Sequence, residues 1–193
     1  QNGAGAIAMD VNTGAILAMA SLDGYDLNNF LAVSDAAQAH IDSAATDEEA
    51  KVLLAEAQAR QWRNKVLSDT YEPGSTFKII TLAMALEEGR VSLADSFYCP
   101  GTVSVVGRTS PIRCWKHGGH GSQTLTQAVQ HSCNVAFVNI GQRVGAETFY
   151  KYCEGFGFLK LTEDKDANLT ATTGIDLAGE SGSIWWSQNT FYD

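Results

Sequence analysis

The reading turns on Tyr71-Glu72-Pro73-Gly74-Ser75-Thr76-Phe77-Lys78. Pro73 and Gly74 break whatever precedes them. A mostly apolar run follows: Phe77, Ile79, Ile80, Leu82, Ala83, Met84, Ala85 and Leu86. Glu87-Glu88-Gly89 ends it, with Gly89 as the stop. A run apolar on nearly all sides predicts a buried helix. Ser75 stands at its start as an N-cap or first-turn residue, at the positive pole of the helix. Lys78, three residues on, shares its face. A serine hydroxyl becomes a nucleophile once a base takes its proton. A lysine whose pKa is lowered by burial can be that base, and an N–H at the helix start can face an oxyanion. Ser-x-x-Lys alone fits equally well a capping serine beside a lysine that snorkels to water, so its surroundings decide.

Composition narrows the classes. The chain has 193 residues, 45% of them hydrophobic, enough for one good-sized core or one and a half small ones. Thirteen basic residues face 22 acidic ones, for a net charge of −9, which excludes a basic nucleic-acid footprint. Much of the acid is local, at Asp42, Asp47, Glu48, Glu49 and Glu56, and reads as a solvated helix face. No apolar run reaches membrane-spanning length and no signal-peptide pattern is present. Because the chain begins with Gln1 rather than Met, a targeting segment would be invisible here. Three of the four cysteines crowd between residues 99 and 133.

In chain order, residues 4–21 read as a β-hairpin about Asn12-Thr13-Gly14, and residues 22–30 as polar loop. Thr46 with Glu49 makes a capping box opening an amphipathic helix from Asp47 to about Arg60. A second hairpin runs from Cys99 to Val105, turns near Val106-Gly107 and returns from Ile112 to Trp115, which sets Cys99 opposite Cys114. His117 to Gly121 is loop. Thr124 with Gln127 caps a helix through Gln130, His131-Ser132-Cys133-Asn134 interrupts it, and an apolar helix runs from Val135 to Val144, closed by Gly145. A short helix covers 147–154, and the rest is loop-rich. Cys153 reads as a core residue, and Trp185 and Trp186 as packing or truncated-edge residues.

Ser132-Cys133-Asn134 is the second chemical piece. It is either a helix N-cap or a pair of side chains aimed into a cleft. With Ser75 and Lys78 before it, the chain resembles the transpeptidase domain of class B penicillin-binding proteins, most of all the division and spore-cortex types of Gram-positive bacteria. Trp62-Arg63-Asn64, Tyr71-Glu72-Pro73-Gly74, Trp115 with Gly119-His120-Gly121, Thr173-Gly174-Ile175-Asp176-Leu177 and the Met9–Ala15 hairpin carry the same resemblance. It implies an α/β (α+β) fold of the penicillin-binding-protein and serine β-lactamase type, with a central buried helix, a helical subdomain and a partial antiparallel sheet. It implies a peptidoglycan D,D-transpeptidase needing no catalytic cofactor. Ser75 would be acylated, Lys78 would deprotonate it, Ser132 would relay a proton to the leaving amine, and Asn134 would hold the substrate amide. Partners would be peptidoglycan stem peptides, β-lactam antibiotics and other cell-wall synthesis proteins, with no nucleic acid, at the extracytoplasmic face of the membrane. The alternative is a serine β-lactamase or β-lactam sensor of the same fold. Against it, no Glu-x-x-Leu-Asn loop follows Asn134, and Asn134 stands where class D β-lactamases carry Val.

One part of the family pattern is missing. The chain contains no Lys-Thr-Gly, and Thr172-Thr173-Gly174 falls in the loop region. Residues 1–193 are therefore expected to form a partial transpeptidase domain without the substrate-carboxylate site or the second oxyanion N–H. Acyl transfer by these residues alone should be impaired.

Cys99, Cys114, His120 and Cys133 form a candidate Cys₃His set for structural zinc. If Ser132 and Asn134 face a cleft, Cys133 faces away, toward the hairpin. Zinc there would support the turn without touching the chemistry. A Cys99–Cys114 disulfide and plain buried thiols are the alternatives, and His117 rivals His120.

Overall fold

A computed structural model of the chain describes residues 3–22, 24–163 and 170–190. It divides into two compact units, Gln1–Asp69 with Asp176–Ser181, and Thr70–Ile175 with Gly182–Asp193.

The first unit holds the expected hairpin, strands β1 (Gly5–Met9) and β2 (Ile16–Ser21), paired antiparallel with a bulge at Ala8/Met9. Asp10 organises the turn: its carboxylate accepts the N–H groups of Asn12 at 2.8 Å and Thr13 at 3.0 Å. Helices α1 (Asp35–Asp42), α2 (Asp47–Trp62) and α3 (Lys65–Ser68) follow. Helix α1 is an addition to the sequence reading. Its signal is Ser34, whose hydroxyl caps Ala37 N–H. Helix α2 forms where expected, yet buries no residue. Polar contacts hold it instead: Gln58, Gln61 and Trp62 donate to the carbonyls of Leu31, Phe30 and Ala32 at 2.8 to 2.9 Å. Its capping box is displaced by one residue. Thr46 Oγ1 accepts Glu49 N–H at 3.1 Å, but the Glu49 carboxylate accepts from Ala45 rather than Thr46. Ile41 and Leu67 are the buried hydrophobics of this unit among the described residues.

The second unit carries the main core. Its elements are α4 (Lys78–Glu87), β3 (Ser96–Cys99), β4 (Thr102–Val103), β5 (Ile112–Arg113), β6 (Gly121–Thr124), α5 (Leu125–Gln130), α6 (Asn134–Val144) and α7 (Ala146–Gly155). Met84 and Ala85 of α4 meet Val135, Ala136 and Ile140 of α6, with Tyr150 and Cys153 of α7 beside them. Helix α4 is buried on one face only. Thr81, Met84 and Ala85 fall on one stripe of the 3.6-residue period and are covered, while Ile79 and Leu86 lie on another stripe and are 72% and 41% exposed. Burial on nearly all sides, as the sequence implied, is not what these residues show. At the start of α4, Phe77 packs on an aromatic floor of Phe149, Phe158 and Trp185, ring centroids 5.4 to 6.0 Å away. Trp185 thus packs as expected, whereas Trp186 is exposed. Cys153 is fully buried, and burial pushes its thiol up to about 12.

Strand pairing corrects the second hairpin. β4 and β5 pair about the expected turn, Thr102 opposite Arg113. Cys99, however, belongs to β3, which pairs with β6 and sets Cys99 opposite Gly121, not Cys114. Gly119 explains the switch. A Cβ at that residue would lie 2.1 Å from the Cys99 carbonyl oxygen and 2.4 Å from Gly101 N, so only glycine lets the 118–119 backbone pass so close. This contact folds residues 118–121 back across Cys99, a long-range event that hairpin spacing does not encode.

Candidate active site and cysteine cluster

Ser75 lies in a 3₁₀ turn, Gly74–Phe77, that leads into α4. It does not cap the helix. Phe77 holds that position in α4 and Pro73 caps the 3₁₀ turn, neither with a side-chain cap bond, and the Ser75 side chain is exposed. Lys78, half-buried, opens α4 one turn later. Its ammonium donates three hydrogen bonds: to the Ser132 carbonyl at 2.8 Å, Ser132 Oγ at 3.0 Å and Asn134 Oδ1 at 2.7 Å. Those three acceptors saturate an –NH₃⁺ group. The ring of Phe137 lies 5.4 Å from Nζ. Burial lowers the Lys78 pKa, and the electrostatic influence of Cys114 and Cys133 opposes that fall.

Ser132 and Asn134 reach Lys78 from the break between α5 and α6. Ser132 ends α5 in the left-handed conformation, φ +47°, and is the one non-glycine residue with positive φ among those described. Ser132 N–H bonds to Val129 O at 2.9 Å and Cys133 N–H to Ala128 O at 3.0 Å. That pair of bonds is the Schellman motif, with Ser132 at the position glycine usually fills. A serine there costs roughly 1 kcal/mol of backbone strain. Sequence spacing places these residues between two helices. It does not reveal that Ser132 closes the first helix, rather than capping the second.

Cys133 points the other way, into a buried cluster with Cys99, Cys114 and half-buried His120. One ligand atom from each lies within 4.8 Å of all the others. Cys114 Sγ is 3.9 Å from Cys133 Sγ and 3.5 Å from His120 Nδ1. Tetrahedral zinc, with Zn–S near 2.3 Å, requires edges of about 3.8 Å, so the donor types and spacing fit that ion. All four cysteines are free thiols, and the Cys99–Cys114 disulfide does not form. His117 is exposed and stands outside the set. Burial and the charges of His131 and Lys116 lower the His120 pKa, favouring the neutral imidazole that binds metal. Burial pushes Cys133 up. At Cys114 burial is outweighed by N–H groups of Lys116 and Asn134 and by the neighbouring thiols, and its pKa falls.

Arg113, Trp115 and Gln123 also support the site; of these only Trp115 carried a sequence signal, as part of the family resemblance. Asn134 Nδ2 donates to Arg113 O at 2.9 Å. Trp115 Nε1 donates to His131 O at 2.8 Å. Gln123, buried on β6, meets His131 Nδ1 through Oε1 at 3.0 Å.

The chain is similar to several known proteins. Stage V sporulation protein D of Bacillus subtilis is 50% identical over 123 residues, covering 63% of this chain and 17% of that protein. Peptidoglycan D,D-transpeptidase PbpA of Mycobacterium tuberculosis is 32% identical over 154 residues, 78% of this chain and 29% of that one. The crystal structure of the D,D-transpeptidase domain of a peptidoglycan glycosyltransferase from Eggerthella lenta superposes with a TM-score of 0.61 at 32% identity, covering 83% of this chain and 34% of that one. The chain thus spans less than a third of the curated relatives it matches. Residues 4–191 match the penicillin binding protein transpeptidase domain, and the chain belongs to that family.

Proposed function

We propose that this chain supplies the nucleophile half of a peptidoglycan D,D-transpeptidase, and that Ser75 is the residue acylated. The observation that carries the reading is the convergence of Lys78 Nζ on Ser132 Oγ and Asn134 Oδ1, one helical turn from an uncommitted serine hydroxyl. Lys78 in its neutral form accepts the Ser75 proton as Oγ attacks the carbonyl of a stem peptide or a β-lactam. Ser132 Oγ, already bonded to Nζ, passes a proton from Lys78 to the leaving amine. Asn134 orients the substrate amide, its own Nδ2 anchored on Arg113 O. The Ser75 N–H at the helix start faces the oxyanion. No cofactor enters these steps.

Residues 1–193 act, in this reading, as part of a transpeptidase domain. The Lys-Thr-Gly element that the family uses to complete its cleft is not among them, and acyl transfer by these residues alone is slow. The whole protein works at the extracytoplasmic face of the membrane, on stem peptides and beside other cell-wall synthesis proteins. Among the described residues, no helix is long and apolar enough to cross a membrane.

Cys99, Cys114, His120 and Cys133 hold a structural Zn²⁺ in this proposal. The ion would cross-link the end of β3, the segment after β5 and the Ser132 turn.

The test is incubation with a fluorescent penicillin followed by peptide mass spectrometry, on this chain and on its parent protein. Adduct on the peptide containing Ser75, fast in the parent, slow in the chain and absent in Ser75→Ala, is expected. Adduct elsewhere, or labelling unchanged by Ser75→Ala, overturns the assignment. Rapid release of hydrolysed penicillin by the parent would move the reading to a β-lactamase.

A further inference from the structure

Residues 113–115 lie along the 131–134 turn as a splint. At one end Asn134 Nδ2 donates to Arg113 O at 2.9 Å. In the middle Cys114 Sγ faces Cys133 Sγ at 3.9 Å. At the other end Trp115 Nε1 donates to His131 O at 2.8 Å. The splint is itself anchored, since Cys114 N–H bonds to Gly101 O at 2.8 Å. Ser132, within the turn, holds a backbone conformation its Cβ disfavours.

The two carbonyls flanking Ser132 are each held by a side-chain donor: His131 O by Trp115 and Ser132 O by Lys78. These donors differ in one respect. Lys78 must give up a proton to act as a base, and a neutral amine has two N–H groups for the three acceptors it now serves. The indole N–H never titrates. Trp115 is 67% exposed, so burial accounts for little of its placement. Its ring meets His120 in a T-shaped contact, centroids 5.3 Å apart, which helps orient the indole.

We propose that Trp115 is a positioning residue for Ser132: its indole N–H clamps the His131 carbonyl and keeps the Ser132 turn left-handed while Lys78 changes protonation state. As a statement about acyl transfer this rests on the role proposed for Ser132 above. As a statement about the turn it stands alone.

Trp115→Phe keeps a ring against His120 and removes the N–H. A benzothienylalanine at residue 115 keeps the full indole shape with sulfur in place of the N–H. In both, amide hydrogen exchange at Ser132 and Cys133 should speed up by roughly five- to tenfold, the size expected for one lost hydrogen bond. The Ser132 HN–Hα coupling should shift toward an average over conformers. The amides of Gly89 and Arg90, which close α4 with the same pair of bonds, should not change. Equal acceleration at both turns would mean general loosening and would overturn the clamp, as would no change at either. Acylation by fluorescent penicillin should fall by about tenfold with non-covalent binding retained. If the unaltered parent protein is not acylated at Ser75, the acyl-transfer reading fails, while the exchange comparison still decides the clamp.

Discussion

Helices α4 and α5 end in the same way with different residues. At α4, Gly89 N–H bonds to Leu86 O at 3.1 Å and Arg90 N–H to Ala85 O at 2.8 Å, with Gly89 at φ +61°. At α5, the equivalent bonds run from Ser132 and Cys133, with Ser132 at φ +47°. Glycine takes that conformation freely, and serine strains in it. The α4 end needs only to stop a helix. The α5 end must also present a hydroxyl to Lys78, and the left-handed turn is what aims Ser132 Oγ and Asn134 Oδ1 at one ammonium while Cys133 between them turns inward. In the proposed function, strain is thus located where a side chain has chemistry to do, and it lies beside Lys78, Trp115 and the cysteine cluster.

The largest effect that tests this contrast is on Lys78. Lys78→Met should lower the acylation rate of the parent protein by on the order of 10²–10⁴, the usual worth of a positioned base. With Lys78 intact, the rate should rise with pH as the ammonium deprotonates. Because burial depresses this pKa, the midpoint should fall below the ordinary lysine value. A midpoint at or above the ordinary value, in rates measured against pH, would remove Lys78 as the base.

Metal removal comes next. If zinc ties the α5 end, chelation should lower Tm by more than about 10 °C and speed exchange at Ser132 and Cys133 ahead of Gly89 and Arg90. Protein purified without chelator should contain one zinc per chain by elemental analysis. Absence of metal, with every thiol titratable, would leave the cluster as packed thiols.

Glycine-to-alanine exchange is smaller. Gly89→Ala should destabilise the second unit by about 1 kcal/mol in denaturant unfolding, since alanine strains at positive φ. Ser132→Gly should do the reverse, stabilising by under ~1 kcal/mol while removing the proton relay. If Ser132→Gly destabilises instead, the serine hydroxyl contributes more to the turn than its Cβ costs.

Much of this arrangement could be read before any coordinates. Pro73-Gly74 and Gly89 bracket α4, Thr124 and Gln127 cap α5, and Asn12-Thr13-Gly14 turn the first hairpin. These are local signals, written within four or five residues. The reading went wrong where contact is distant. Cys99 leaves the second hairpin for β6 because Gly119 allows two backbones to touch. Ser75, readable as either a cap or a first-turn residue, lies in a 3₁₀ first turn and caps nothing. Helix α2 was expected to be amphipathic, yet it is held by glutamine side chains on carbonyls some 30 residues away.

By itself, the sequence determined most of the longer helices, their stops and the candidate reactive groups, because caps, turn glycines and the Ser-x-x-Lys and Ser-x-Asn patterns act over a turn or two of chain. It also placed four metal-type donors in one stretch without showing how they meet. Only the tertiary structure decided that Lys78 reaches Ser132 and Asn134, that Cys99 and His120 join Cys114 and Cys133 across β3 and β6, and that Trp115 spans to His131. Each of those distances depends on how separate elements pack, and packing is settled by fit among side chains far apart in the chain.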